Sequence, residues 1–156
     1  METGITKLNH TDVDEFVKLL RLFEEVFGYE NYSLPAITHL QKLLRSDRLL
    51  VFAAKKNNCV VGGLTAHVLD RYDSTKPSAY IYDLAVKPQQ QRKGIGKLLI
   101  ETLLTYCRKN NFDEAFVQAD TDDVHAVSFY RKTAISSELS AAHFTYALNR
   151  KHQQES

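Results

Sequence analysis

One stretch of the sequence has the residue types needed to bind an anion: DLAVKPQQQRKGIGKLL, residues 83–99. An apolar run ends in a polar break, after which Gly94 and Gly96 open a helix-like pattern. The free N–H groups at a helix N-terminus and the positive end of the helix dipole both favour a phosphate there. The stretch therefore predicts an anion-binding turn between a strand and a helix, but it does not name the anion.

Charge is distributed unevenly around that stretch. Four bases and no acid lie between Lys87 and Lys97, and five acids and no base lie between Asp113 and Asp123. The two runs are either ordinary solvated faces or one anion site and one cation site. The formal net charge of the whole chain is only +1, which argues against a nucleic-acid-binding protein.

The elements that position these residues follow from length and periodicity. A chain of 156 residues, 44% of them hydrophobic, favours one domain, which we expect over residues 1–150 with a polar tail at 151–156. The expected order is β, α, α, β, β, β, α, β, α, β, from ITKLN to a last strand in HFTYAL. An antiparallel start followed by a βαβ crossover predicts an α/β fold with a mixed, mostly antiparallel central sheet flanked by helices.

Local signals predict where the helices begin and end. Thr11 or Asp12 can cap the first helix, and Gly28 can end it. The second helix is expected over Pro35–Leu44 and the third over Gly94–Lys109. An aspartate is expected to cap the helix in DDVHAVSFYRK.

Other sequence features limit the class of protein. No basic segment followed by an apolar run opens the chain, so we expect no membrane association and a cytoplasmic location. Cys59 and Cys107 lack the spacing of a zinc site or a disulfide framework. Both are interpreted as structural thiols, and no metal is expected.

The glycine loop does not fit the two familiar nucleotide-binding patterns. The dinucleotide fingerprint GxGxxG is absent, and the phosphate loop GxxxxGK[ST] fails because Leu98 follows Gly96-Lys97. The remaining pattern, QRKGIG at residues 91–96, resembles the pyrophosphate-binding loop of the GNAT N-acetyltransferases, which use acetyl-coenzyme A. The preceding Leu84-Ala85-Val86 and the later A-x-x-F-Y-x-K motif, residues 126–132, extend the resemblance in the same order.

Four further segments narrow the resemblance within that superfamily. LLRS, VVGG, YIYDLAV and VQAD look like the type I aminoglycoside 3-N-acetyltransferases, and the similarity spans roughly residues 22–144. It implies transfer of acetyl from acetyl-coenzyme A to the 3-amino group of a deoxystreptamine ring, with antibiotic resistance as the consequence. It also implies a polycationic amine as substrate and a possible homodimer. The alternatives are acetylation of another polyamine or of a protein amine, or a coenzyme-binding regulatory module without turnover.

The resemblance also implies a coenzyme site on the loop and on the strand before it. Backbone N–H groups of residues 92–96 would receive the pyrophosphate, with charge-assisted contacts from Arg92 and Lys93. The backbone of Leu84 and Val86 would pair with the pantetheine arm. The implied coenzyme-binding residues are Leu84, Ala85, Val86, Gln91, Arg92, Lys93, Gly94, Ile95, Gly96, Lys97, Ser128 and Tyr130.

The reaction itself requires a base and an acid. An alkylamine with a pKa of about 10.4 is neutral in only roughly one molecule in 2,500 at pH 7, so a base is needed. Asp83 is predicted to be that base, directly or through water, or alternatively to bind the acceptor without proton transfer; His67, His125 and His143 are rival bases. Tyr130 is predicted to protonate the departing thiolate. The predicted acceptor-binding residues are Tyr80, Tyr82, Asp83, Asp120, Asp122 and Asp123.

Overall fold

A five-stranded sheet organises the chain. The computed structural model describes residues 2–149. Strands β1 to β4 pair antiparallel in chain order, and β5 adds to β4 in parallel, which gives the sheet order β1-β2-β3-β4-β5. The strand bounds are β1 Gly4–Lys7, β2 Leu49–Lys56, β3 Cys59–Leu69, β4 Ser78–Val86 and β5 Glu114–Val117. The predicted mixed, mostly antiparallel sheet flanked by helices is confirmed.

Four α-helices and one short 3-10 helix accompany the described strands. Their bounds are α1 Val13–Phe27, α2 Ile37–Arg45, a 3-10 helix Pro88–Gln90, α3 Ile95–Lys109 and α4 Val124–Arg131. Gly28 ends α1 in the left-handed conformation, as expected. The second helix begins later than expected because Ala36 is still extended, with a ψ of 146°. Asp123 caps α4 by accepting the Ala126 N–H at 3.0 Å, as expected of an aspartate in that segment.

The core lies on both faces of the sheet. Leu19 of α1 and Leu40 of α2 belong to a buried cluster with Val51 and Ala53 of β2. Because side chains alternate along a strand, Phe52 points to the opposite face, where its ring meets Tyr106 of α3 at 5.9 Å. None of the helices within residues 2–149 is both long and apolar enough to cross a membrane.

The chain divides into two compact units. The first, Met1–Gln118, contains the whole described sheet and α1 to α3; the second, Ala119–Ser156, contains α4. A single domain over residues 1–150 stays a prediction. The last strand expected in HFTYAL is wrong, because the structure assigns neither helix nor strand to residues 138–148. A strand requires a neighbour for its backbone hydrogen bonds, and the described part of the chain supplies none to this segment.

Gly63 of β3 lets α1 pack directly on the sheet. A Cβ at this position would lie 2.3 and 2.6 Å from the two Leu19 methyl groups and 2.8 Å from the Phe52 carbonyl oxygen. Leu19 is fully buried, so its side chain has little room to move away. The missing side chain therefore sets the distance between α1 and β3.

We expect Gly63→Ala to lower the free energy of unfolding by about 1–3 kcal/mol, because the added methyl overpacks the α1–β3 contact. Urea denaturation measures the change. Gly4→Ala is the matched control: no atom lies within 4 Å of its added Cβ, and its effect should stay within about 0.5 kcal/mol. Equal stability of the Gly63→Ala protein and the wild type would contradict this packing account.

Candidate functional site

The glycine loop presents a row of free backbone donors. Arg92 and Gly94 both have positive φ, 61° and 83°, and Gly94 is the N-cap of α3. The first helical bond of α3 runs from the Leu98 N–H to the Gly94 carbonyl, at 3.0 Å. Consequently the N–H groups of residues 92–97 donate to no backbone acceptor in the described chain. Residues 91–94 are exposed, so an anion could reach these groups and the positive end of the helix dipole.

The basic side chains of the loop differ in whether they already have a hydrogen-bond or ion-pair partner. Lys93 folds back onto the 3-10 helix, where its ammonium group donates to the Gln89 carbonyl at 3.0 Å. Lys97 faces Glu101 one turn along α3, at 3.9 Å. Arg92 makes no hydrogen bond or ion pair with the described residues. Of these three bases, Arg92 is therefore the one available to an approaching anion without giving up a partner.

Strand β4 has an open edge next to this loop. Strand β5 pairs with Ser78–Ile81 alone, although β4 continues to Val86. The Lys87 N–H donates to Val61 on the β3 side at 2.8 Å, so strand alternation directs the N–H groups of Leu84 and Val86 to the open side. An extended ligand arm can pair there as an additional strand. This is the geometry that the predicted pantetheine contacts of Leu84 and Val86 require; those contacts stay predictions.

Gln91 closes the loop against the end of that edge. Its side-chain amide donates to the Val86 carbonyl at 3.0 Å. Sequence analysis assigned Gln91 to the coenzyme site, and its bond in the structure is instead to the strand. Gln91 therefore holds the loop in place, and its contribution to coenzyme binding stays a prediction.

A β-bulge directs Asp83 to the face of the sheet that α1 covers. The register changes between Thr65 and Ala66: Thr65 pairs with Asp83, whereas Ala66 pairs with Ile81, which leaves Tyr82 as the extra residue. The Asp83 N–H donates to the Thr65 hydroxyl at 3.2 Å. Since side chains of directly paired residues share a face, Asp83 lies on the same face as Thr65.

Aromatic rings surround this position. Tyr82 packs edge-on against the ring of His67 at 5.3 Å and against Tyr80 at 6.0 Å. Tyr80 stacks on Phe116 of β5 at 4.9 Å, and its hydroxyl donates to Gln118 at 3.1 Å. The rings form a wall beside one carboxylate, and carboxylates and aromatic faces both attract ammonium groups.

Burial raises the pKa of the Asp83 carboxyl, and the nearby His67 opposes part of that rise. The pKa of Tyr29, in the loop after α1, is raised by burial and further by the charges of Asp83 and Tyr82. A carboxylate with a raised pKa is a stronger proton acceptor than an ordinary aspartate. Thr65, His67 and Tyr29 thus accompany Asp83. Sequence analysis gave only His67 a role, as a rival base; the hydroxyls of Thr65 and Tyr29 come from distant segments with no local signal.

The acidic run does not act as one cluster. Asp113 forms an ion pair with Arg71 in the loop after β3. Glu114 accepts the Ser78 hydroxyl at 3.2 Å. Both carboxylates are therefore engaged in structural contacts, which removes them from the cation site suggested by the charge pattern.

The remaining predicted residues belong to the second compact unit. Asp120, Asp122 and Asp123 are exposed in the turn before α4, where the Asp120 carboxylate accepts the Asp122 N–H at 2.9 Å. Ser128 is exposed on α4, whereas Tyr130 is half-buried with its ring 5.0 Å from that of Phe129. Their roles in coenzyme binding, acceptor binding and catalysis stay predictions.

We expect Asp83→Asn to raise the melting temperature at pH 7. The raised pKa of Asp83 means that folding disfavours its ionised form. The wild type is therefore most stable below the ordinary pKa of 3.8, where Asp83 is protonated, and it loses stability as the pH rises through the pKa of the folded protein. The melting temperature of the variant should exceed that of the wild type at neutral pH and converge with it towards pH 4, which calorimetry from pH 4 to 8 measures.

Asp73→Asn is the matched control, for which we expect the opposite change in melting temperature. Hydrogen bonds from Arg71 lower the pKa of Asp73, so its ionised form is favoured by folding and its replacement should lower the melting temperature at pH 7. A lower melting temperature of the Asp83→Asn protein at pH 7 would show that hydrogen bonds or charges stabilise the ionised carboxylate, and would contradict a pKa raised by burial.

Comparison with known proteins identifies the family. The model of the acetyltransferase (GNAT) family matches residues 13–134. An aminoglycoside acetyltransferase, meta-AAC0020 from an uncultured soil metagenomic sample, was crystallised with trehalose and with sisomicin. These structures are 47% and 46% identical to this chain, with a TM-score of 0.92, and cover 94% of this chain and 97% of theirs. The comparison with curated proteins gives no match.

Two further structures extend the likeness. The aminoglycoside acetyltransferase HMB0005, also from an uncultured soil metagenomic sample, is 32% identical, with a TM-score of 0.85 over 94% of this chain and 100% of its own. The aminoglycoside N-acetyltransferase AAC(6')-Iy in complex with CoA is 15% identical, with a TM-score of 0.76 over 95% and 96% of the two chains, a likeness of fold alone. The chain belongs to the acetyltransferase (GNAT) family and is an acetyl-CoA-dependent N-acetyltransferase.

Proposed function

We propose that the protein transfers the acetyl group of acetyl-CoA to an aminoglycoside, at the 3-amino group of its deoxystreptamine ring. The observation that carries the proposal is the placement of Asp83 and the aromatic wall of Tyr80 and Tyr82 next to the open edge of β4. The 47% identity to meta-AAC0020, which binds sisomicin, supports an aminoglycoside as acceptor. The 3-position rests on the sequence resemblance to the type I enzymes.

The residues present fit acetyl-CoA as the donor. The free N–H groups of residues 92–97 and the side chain of Arg92 match a pyrophosphate, and the backbone of Leu84 and Val86 matches the amides of an extended arm. When bound, acetyl-CoA supplies the acetyl group and a thiol leaving group. A backbone N–H on the open edge can polarise the thioester carbonyl, where negative charge develops during attack.

Asp83 meets the proton requirement of the acceptor. The acceptor ammonium first gives one proton to a base, and the neutral nitrogen then forms a bond to the thioester carbonyl carbon. The nitrogen loses its second proton as the carbon–sulfur bond breaks, and the thiolate gains one. The raised pKa of Asp83 suits it to take the first proton, directly or through water, and to pass it to solvent. The hydroxyl of Tyr130 returns a proton to the departing thiolate, as the A-x-x-F-Y-x-K motif implies.

The acceptor is a polycation in this proposal. In the first compact unit, the Asp83 carboxylate and the ring faces of Tyr80 and Tyr82 attract an ammonium group. The sequence resemblance implies further ammonium contacts with Asp120, Asp122 and Asp123, which are exposed in the second unit. Acetylation removes one positive charge and one hydrogen-bond donor, which weakens binding of the drug to RNA. We propose antibiotic resistance as the consequence, in the cytoplasm where that RNA lies.

We expect purified protein to release CoA thiol from acetyl-CoA with sisomicin or gentamicin, and NMR of the product to place the new acetyl group on the 3-nitrogen. Spermidine and a lysine peptide are the competing acceptors. Acetylation of a different drug nitrogen would refute the 3-position alone. Turnover with spermidine or the peptide but with no aminoglycoside would refute the proposal that the acceptor is an aminoglycoside. Binding of acetyl-CoA without turnover of any amine would favour a regulatory module.

We expect Tyr130→Phe to lower kcat by about 100-fold or more with little change in KM for acetyl-CoA, because the phenol acts only as the bond to sulfur breaks. Asp83→Asn should also lower kcat and lose the decline in rate that the wild type shows as the pH falls through the raised pKa of Asp83. Tyr72→Phe, an exposed residue of the loop after β3, serves as control and should leave kcat unchanged.

An unchanged kcat of the Tyr130→Phe protein would show that Tyr130 is not the acid that protonates the thiolate. For Asp83, an unchanged pH profile with a raised KM for the acceptor makes it a binding residue without proton transfer. The two results are separable, because the first reports on the leaving group and the second on the attacking amine.

A further inference from the structure

A buried hydroxyl group interrupts an apolar stretch of β3. Thr65 is only 6% exposed and lies between the buried residues Leu64 and Ala66, and its partner in β2 is Val51. Valine has the same branched shape at Cβ and would avoid the cost of burying a hydroxyl group. Packing alone therefore does not account for a threonine at this position, and its hydroxyl needs a polar partner.

That partner is the backbone of Asp83 on β4. The Asp83 N–H donates to the Thr65 hydroxyl at 3.2 Å. The bond lies at the bulge, where the pairing changes from Thr65 with Asp83 to Ala66 with Ile81. A bulge disrupts the regular ladder of backbone hydrogen bonds, so a side chain that supplies an acceptor there stabilises one particular geometry of the bulge.

The same bond limits the directions that the Asp83 side chain can take. The N–H group and the side chain of a residue are joined through one Cα atom, and the allowed side-chain rotamers depend on the backbone angles. Asp83 is half-buried on the face that Thr65 shares, beside the rings of Tyr80 and Tyr82. A relaxed bulge would therefore let the carboxylate turn away from these rings and towards solvent.

We propose that Thr65 is a positioning residue, whose hydroxyl holds the Asp83 N–H in the bulge and thereby keeps the Asp83 carboxylate directed at the acceptor amine. The proposal rests on the proposed function, in which Asp83 takes a proton from the acceptor. Because so little of Thr65 is exposed, it acts through Asp83 rather than by contact with a substrate. A displacement of about 1 Å at a reacting group can lower the rate by about 100-fold.

Two titratable side chains from other segments act on Asp83 or are acted on by it. The charge of His67, two residues after Thr65 on β3, acts on the Asp83 carboxyl, and Asp83 acts in turn on Tyr29 in the loop after α1. On β4 itself, Tyr82 is adjacent in sequence. Substitution of Thr65 leaves all three groups in the chain, so a changed titration of Asp83 reports on its position.

Steady-state kinetics with the amine that the wild type acetylates fastest separate positioning from packing. Thr65→Val keeps the branched shape but removes the hydroxyl, and we expect kcat to fall by about 10- to 100-fold with KM for acetyl-CoA unchanged. Thr65→Ser keeps the hydroxyl but loses a buried methyl group, so its melting temperature should fall while kcat stays within about threefold of the wild type.

Thr102→Val is the matched control for loss of a threonine hydroxyl. The Thr102 hydroxyl donates to the Leu98 carbonyl within α3 at 2.7 Å, and its removal should leave kcat unchanged. Circular dichroism confirms that each variant is folded. A Thr65→Val protein with the kcat of the wild type, or a Thr65→Ser protein with an equally reduced kcat, overturns the proposal.

The double variant Thr65→Val/Asp83→Asn tests whether the hydroxyl acts through the carboxylate. Two residues that act as one unit have effects that do not add. We therefore expect the kcat of the double variant to lie within about twofold of that of Asp83→Asn alone. If the double variant instead shows the product of the two separate losses, Thr65 acts by another route and the proposal is wrong.

NMR titration of the Asp83 carboxyl carbon provides a readout that does not depend on turnover. Burial raises the pKa of Asp83 in the wild type. We expect this pKa to move back towards 3.8 in Thr65→Val, because the carboxylate gains solvent, and to stay at the wild-type value in Thr65→Ser. Equal pKa values in the wild type and Thr65→Val overturn the proposal. The expected shift in a protein that acetylates no amine supports the positioning by Thr65 and refutes the proposed function alone.

Discussion

The unequal length of two neighbouring strands is the constraint on which the rest of the site depends. β5 accompanies β4 for four residues and then ends, whereas β4 continues for five more. At about 3.3 Å per residue, this leaves roughly 16 Å of backbone without a partner on one side. A protein normally covers such an edge because unpaired N–H and C=O groups are costly. Here the edge leads directly into a loop of further free donors, which makes one continuous surface for an extended, phosphate-bearing ligand.

The proposed function assigns the two substrates to different kinds of group. Backbone donors on β4 and in the loop of residues 92–97 would bind acetyl-CoA, and a backbone donor is available whatever side chain the residue carries. The acceptor would meet side chains: a half-buried carboxylate and a row of rings that depend on the bulge at Tyr82. A family can thus keep its donor while its acceptors change, which agrees with the persistence of the fold at 15% identity.

Local signals were enough to predict the fold class and two of the helix N-caps. Gly94 could be located because a helix preceded by a left-handed residue favours glycine, and Asp123 because helices favour aspartate at the N-cap. Composition could not locate the bulge at Tyr82, since YIYDLAV has the composition of an ordinary strand and the extra residue is defined only against β3. The family resemblance implied a bulge in this strand, at Leu84-Ala85-Val86, whereas the structure has it at Tyr82. The pairing of Asp113 with Arg71, 42 residues away, was equally invisible. The strand pattern of HFTYAL was present, but a pattern does not supply a partner.

The bond from Gln91 to the Val86 carbonyl has a consequence for aggregation. An open strand edge attracts other polypeptide strands, and a strand needs alternating donors and acceptors over its whole length. Gln91 occupies an acceptor at the end of the edge, and the bulge at Tyr82 disturbs the regular spacing at the other end. What remains between them is a short run of open backbone that suits a slender ligand better than a long foreign strand. The two features that shape the edge for a ligand therefore also limit its pairing with other chains.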